Sequence, residues 1–128
     1  MKILGIDYGR RKMGVAVSEG FLAEPLEVVH YTKLKDLVRK IGEIAGREGV
    51  EKVVVGVSEG EMAAESKNFS SVLAEKLNIP VTTFDETLTS KDAQKISLEV
   101  GVRRSKRREM EDAYAASIML QNFLDSQG

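Results

Sequence analysis

The sequence predicts a mixed α/β domain, in which an antiparallel set of three strands joins parallel strands through right-handed βαβ crossovers, with helices flanking the sheet. Three observations lead there. Short runs rich in Val, Ile and Leu follow one another at Lys2 to Tyr8, Met13 to Ser18 and about Leu26 to Tyr31, as an antiparallel meander requires. At Leu34 the apolar spacing changes to the helical i, i+3, i+4, i+7. Strand and helix patterns then alternate and close on two helices, giving the order β-β-β-α-β-α-β-α-α.

Each element has its own signal. Gly9 and Gly20 punctuate the first two turns. The first helix carries Leu34, Leu37, Val38, Ile41, Ile44 and Ala45 on one face, and Gly46 and Gly49 weaken and end it. Val53 to Val57, read as VVVGV, is the continuous apolar run of a strand buried on both faces. A second helix passes through Phe69, Val72, Leu73 and Leu77, after which Pro80 opens a strand from Val81 to Phe84. Thr89 to Val100 reads as a third helix capped by Thr89 or Ser90 and stopped by Gly101. A basic stretch from Arg103 to Arg108 leads into the last helix, whose apolar face is Ala113, Ala116, Ser117, Leu120, Phe123 and Leu124. The five methionines read as core filler.

Composition bounds the chemistry. A chain of 128 residues with 42% hydrophobic content is the size of one domain spanning 1–128, with a core that needs no staples. It has no cysteine, so any metal must be held by oxygen ligands or by the lone His30, which lies in a strand without a companion and reads as structural. The N-terminus lacks a signal-peptide pattern and no apolar run approaches the roughly 18 residues of a membrane span, so a cytoplasmic protein without membrane contact is expected. The net charge of -1 hides two basic clusters: Arg10, Arg11 and Lys12, then Arg103, Arg104, Lys106, Arg107 and Arg108.

Against this background three acidic positions stand out. Asp7 interrupts the end of the first apolar strand, Asp85 and Glu86 follow the last strand, and Asp112 opens the last helix. If the first, fourth and fifth strands are parallel, Asp7 and Glu86 share the edge where open α/β sheets bind ligands, and Asp112 joins them if the last helix crosses that edge. Ala113, Ala115 and Ala116 allow a close crossing. Clustered carboxylates repel one another and so recruit a cation, and an all-oxygen set selects Mg²⁺ or Mn²⁺. Two such ions about 4 Å apart serve phosphodiester hydrolysis, with the neighbouring cations contacting phosphate. Taken singly, Asp7 is also a turn former, and Asp85, Glu86 and Asp112 are also helix-capping residues. The basic run 103–108 is also read as a solvated loop; as a phosphate-binding segment it is expected to be mobile in the free protein and ordered once phosphate neutralises it. Their joint placement favours the site.

GIDYGRRKMGVAVS, the AEPLEVV segment, VVVGV, DETLTS with a following Ala93, and MEDAYAASIMLQNFL resemble, in order and spacing, the YqgF/RuvX family. Its members are Holliday-junction resolvase-like proteins also implicated in maturing the small-subunit ribosomal RNA precursor, and the resemblance covers nearly the whole chain. It implies an RNase H-like fold and places the family's acidic positions on Asp7, Asp112 and, within DETLTS, Glu86 ahead of Asp85. After the fourth strand the family has Gly-Leu-Pro, whereas this chain reads GVSEGEMAAES, so Ser58 to Gly60 depart from the pattern. Glu59 and Glu109 are lesser candidates for the ligand set.

The expectation is therefore a metal-dependent nuclease for structured nucleic acid, acting at the 5′ end of pre-16S rRNA or on branched DNA. Asp7 would bridge two metals, Glu86 and Asp112 would complete their shells, and the cations from 10 to 12 and from 103 to 108 would hold the backbone. A ribosome precursor is an expected partner, and monomer and homodimer both stay open. Two rivals remain. One is a non-catalytic RNA-binding ribosome-assembly factor; the other is an actin-like or sugar-kinase-type phosphate-binding module, for which 128 residues supply only one lobe.

Overall fold

A computed structural model of the chain describes residues 1–57, 60–85 and 104–127, with the backbone alone for Glu61 and for 104–109. Its elements are β1 (Ile3–Asp7), β2 (Lys12–Ser18), β3 (Ala23–His30), α1 (Leu34–Glu48), β4 (Lys52–Val57), α2 (Glu61–Leu77), β5 (Val81–Asp85) and α3 (Arg104–Gln127). They form the expected mixed five-stranded sheet in the order β3-β2-β1-β4-β5, with β1, β2 and β3 antiparallel and β1, β4 and β5 parallel. The helix expected over 89–100 lies outside the described residues. Among the described helices none is long and apolar enough to cross a membrane.

Alternation along the central strands divides the core in two. Leu4, Ile6, Met13, Val15, Val53 and Val55 face α1 and α2, where they pack with Leu37, Ile41, Phe69 and Leu73. Ile3, Ala16 and Val54 face α3 and meet Ala116, Met119, Leu120 and Phe123. Of the methionines, Met13 and Met119 are fully buried as filler, whereas Met1 is exposed.

Beyond one-residue shifts at strand ends, the starts of β3 and of the last helix differ from the sequence reading. β3 begins at Ala23 and includes Pro25, which an edge strand tolerates, at a register shift beside Val15 and Ala16. Gln121 of α3 secures this start, accepting from the Ala23 N–H at 2.9 Å and donating to the Phe21 carbonyl at 3.0 Å. His30 lies in a strand, as expected, and ends β3 in an exposed position. The last helix begins at Arg104, not at Asp112, so the basic run from Arg104 onward is helix and not a mobile loop. Arg, Lys, Glu and Met are good helix formers and the segment has no Gly or Pro, so propensity outweighs the repulsion among its charges.

Candidate active site

The last strand-end positions and one helix turn build the site. Asp7 is the final residue of β1, opposite Gly14 of β2 on one side and Gly56 of β4 on the other. In register it shares the α3 face with both glycines. A Cβ placed on Gly14 would stand 1.8 Å from the Asp112 carbonyl oxygen, so the backbone of α3 rests directly on this glycine. Farther along, a Cβ on Gly5 would stand 2.9 Å from Leu120 Cβ. Two strand glycines therefore let α3 lie against the sheet, and Gly14 brings the Asp7 and Asp112 positions together. Asp112 stands about two turns inside α3, which removes the helix-capping explanation for its carboxylate.

The charge of Asp112 is balanced from within the chain. Lys12, expected on phosphate, places its Nζ 3.2 Å from Asp112 Oδ2, with both side chains partly exposed. An ammonium thus occupies the electrostatic role that a cation would take beside this carboxylate. The donor set fits a hard divalent ion in kind: two carboxylates at one strand end, partly exposed, with no sulfur or imidazole among them. Among the described residues no three His, Asp or Glu side chains converge.

The other expected acids separate clearly. Asp85 pairs in register with Val57, and Phe84 with Gly56, so Phe84 shares the Asp7 face while Asp85 points to the opposite one. Phe84 confirms this by packing edge-on against Phe123 of α3, with ring centroids 5.7 Å apart. Glu86, Glu59 and Arg103 lie outside the described residues. Glu109 sits one turn before Asp112 on α3, and Arg104, Lys106, Arg107 and Arg108 occupy the first turns of the same helix.

The turn from Tyr8 to Arg11 is held more firmly than its charge alone suggests. A Cβ on Gly9 would lie 2.3 Å from the Lys12 carbonyl oxygen, so only glycine fits this tight return. The Tyr31 hydroxyl donates to the Gly9 carbonyl, and the Tyr31 N–H donates to the Arg11 carbonyl at 3.1 Å. Burial, reinforced by hydrogen bonding with Tyr8, pushes the Tyr31 phenol well above its ordinary range, so it remains a proton donor here. Tyr8 packs on Phe69 of α2 at 5.4 Å between ring centroids, and Arg10 Nε meets Glu65 Oε2 at 3.0 Å. Sequence reasoning does not reach Gly14, Tyr31 or Glu65. Glycine inside an apolar strand is the available signal for the first, since it marks a close backbone approach; the other two are set by tertiary contacts alone.

Solved structures with this architecture define the class. RuvC of Thermus thermophilus in complex with a Holliday junction substrate matches with a TM-score of 0.63 and 22% identity, over 99% of this chain and 95% of that one. The fowlpox virus Holliday junction resolvase matches with a TM-score of 0.63 and 13% identity, over 98% and 99% of the two chains. At these identities the likeness is one of fold, the RNase H-like architecture of RuvC-type resolvases. Sequence then gives the family. The family described as "RuvX: Holliday junction resolvase" matches residues 1–126. A protein named "Putative pre-16S rRNA nuclease" from Pelotomaculum thermopropionicum is 39% identical over 100% of this chain and 89% of its own length. Its namesake from Chloroflexus aggregans is also 39% identical, over 97% and 93%. The chain belongs to the RuvX family, whose members are nucleases, hydrolases of phosphodiester bonds.

Proposed function

We propose that this protein is an endonuclease that uses Mg²⁺ or Mn²⁺ to cut structured nucleic acid, with the 5′ region of pre-16S rRNA as its substrate. The observation that carries this reading is the meeting of the Asp7 and Asp112 positions over Gly14, with Asp112 too far inside α3 to act as its cap. Asp7, Asp112 and Glu86 are the proposed metal ligands. Alternation favours Glu86 over Asp85, because the residue two beyond Phe84 takes the Asp7 face wherever the strand pleat continues. The bound metal supplies activation of the attacking water and stabilisation of the departing oxygen. If Asp112 held a metal, the Lys12 ammonium now paired with it would be free to contact phosphate. Arg10, Arg11 and the cations of 103–108 bind backbone phosphates, those from Arg104 onward doing so from the turns of α3 that precede Asp112.

The names of the relatives support the RNA substrate, and a cytoplasmic protein that meets ribosome precursors follows from it. A second reading, resolution of branched DNA, is supported by the family description. One assay weighs them: a labelled pre-16S leader fragment and a four-way DNA junction are each incubated with Mg²⁺, Mn²⁺ or EDTA. Metal-dependent cleavage of the RNA at discrete positions is expected. Cleavage of the junction alone would transfer the activity to branched DNA. Binding without any cleavage in either metal would leave a non-catalytic RNA-binding factor.

A further inference from the structure

A basic depression lies beside the turn that follows Asp7. It has a volume of about 460 Å³, and Arg11, His30, Thr32, Asp36, Arg39 and Lys40 line it. Three cations face one carboxylate there. Lys40 Nζ donates to the His30 carbonyl at 2.7 Å, which fixes the ammonium at the rim without neutralising it. Its remaining N–H donors stay available to an acceptor. Arg11 has no ion pair among the described residues, whereas Arg39 shares its charge with Glu43 at 2.8 Å on an exposed helix face. The depression is open and each residue that lines it carries a polar or charged group, unlike the enclosed apolar clefts that hold small organic ligands.

Position gives the depression its meaning. Arg11 belongs to the turn that leaves Asp7, and its carbonyl is bonded to Tyr31, which separates His30 from Thr32 in the depression's wall. β3 lies two strands from β1, a lateral distance of about 10 Å at the usual strand spacing. We propose that this depression is a second phosphate-binding point for a polynucleotide, holding the backbone a few nucleotides away from the bond at Asp7. The ligand class rests on the nuclease reading above; the binding itself requires neither metal nor cleavage. Arg11 would be the residue shared by the two points, and Arg39 and Lys40 would add a sequence-independent grip. Because the ligand is the phosphodiester backbone, single-stranded RNA and DNA should both engage it.

The test measures binding in EDTA by anisotropy, with a labelled single-stranded RNA long enough to span both points, the DNA of the same sequence, and inorganic phosphate as competitor. Arg39→Gln/Lys40→Gln should weaken both polymers several-fold and flatten the slope of log K against log salt by about 0.7 for each phosphate no longer neutralised. Lys67→Gln/Lys76→Gln, on α2, makes the same change in net charge and should leave affinity and slope as they were. Thr32→Glu sets an acid in the same wall outside α1, so it reads the depression even if the double variant melts early, and it should weaken binding likewise. Unchanged affinity and slope in the wall variants, or an equal loss in the α2 control, would overturn the proposal. So would competition by phosphate at low concentration, which would mark a small-anion site. Since EDTA is present throughout, a failed cleavage assay alongside an intact effect here would count against the nuclease reading alone.

Discussion

Beneath α1 and α2 the strands present Leu4, Ile6, Met13, Val15, Val53 and Val55, whereas beneath α3 they present Ile3, Gly5, Gly14, Ala16 and Val54. Large side chains hold the first pair of helices away from the sheet and fill the gap with apolar volume. The second face gives up two side chains, and the α3 backbone comes down onto the sheet at Gly14. The first face contributes stability through buried area. The second contributes geometry, since only a helix in contact with the strand can set its own carboxylate position beside one at a strand end.

Substitutions on the two faces should therefore fail differently. Phe69 is fully buried among α2, Tyr8 and the β-strands, so Phe69→Ala should cost about 3–5 kcal/mol by chemical denaturation. Under conditions where it folds, turnover per folded molecule should stay near wild type; a large loss of turnover would show that the packing face also shapes the site. Gly14→Ala asks for the converse. Its methyl would overlap the Asp112 carbonyl, and overpacking of this kind costs about 1–3 kcal/mol. Cleavage should fall much further than that destabilisation explains, because the helix must lift or slide. Equal activity per folded molecule would mean that the Asp7–Asp112 placement is not needed.

A smaller effect concerns the turn between them. Tyr31→Phe removes the hydroxyl that donates to the Gly9 carbonyl, which should cost about 1 kcal/mol and a few degrees of melting temperature. The loosened turn carries Arg10 to Lys12, so substrate affinity should drop modestly while turnover at saturating substrate holds. An unaltered melting temperature would show that the turn is held by Gly9 and the Arg10–Glu65 pair instead.

Much of this is legible in the sequence because it depends on periodicity. The change from alternating to helical spacing at Leu34 locates α1, and the unbroken VVVGV run marks β4 inside the sheet. Asp7 stands out because it breaks an apolar strand. The start of α3 escapes such reading because a dense run of cations looks like solvated chain, although each residue in it except Ser105 favours a helix. Gly14 escapes it because glycine in a strand has a purpose only once the partner backbone is known. The choice between Asp85 and Glu86 turns on the parity of β5, which requires the register with β4 that no single strand contains.

The contrast between two strand-end carboxylates on opposite faces tests the central claim most directly. Turnover of Asp7→Asn and Asp85→Asn should be measured beside wild type with Mn²⁺, at saturating substrate and with melting curves for all three. Since a metal-held charge is worth several kcal/mol to the reaction, Asp7→Asn should lose about three orders of magnitude or more with its fold intact. Asp85→Asn, on the face turned away from α3, should keep most of its activity. Wild-type turnover by Asp7→Asn, or a dead Asp85→Asn beside an active Asp7→Asn, would contradict the assignment of the site to the α3 face.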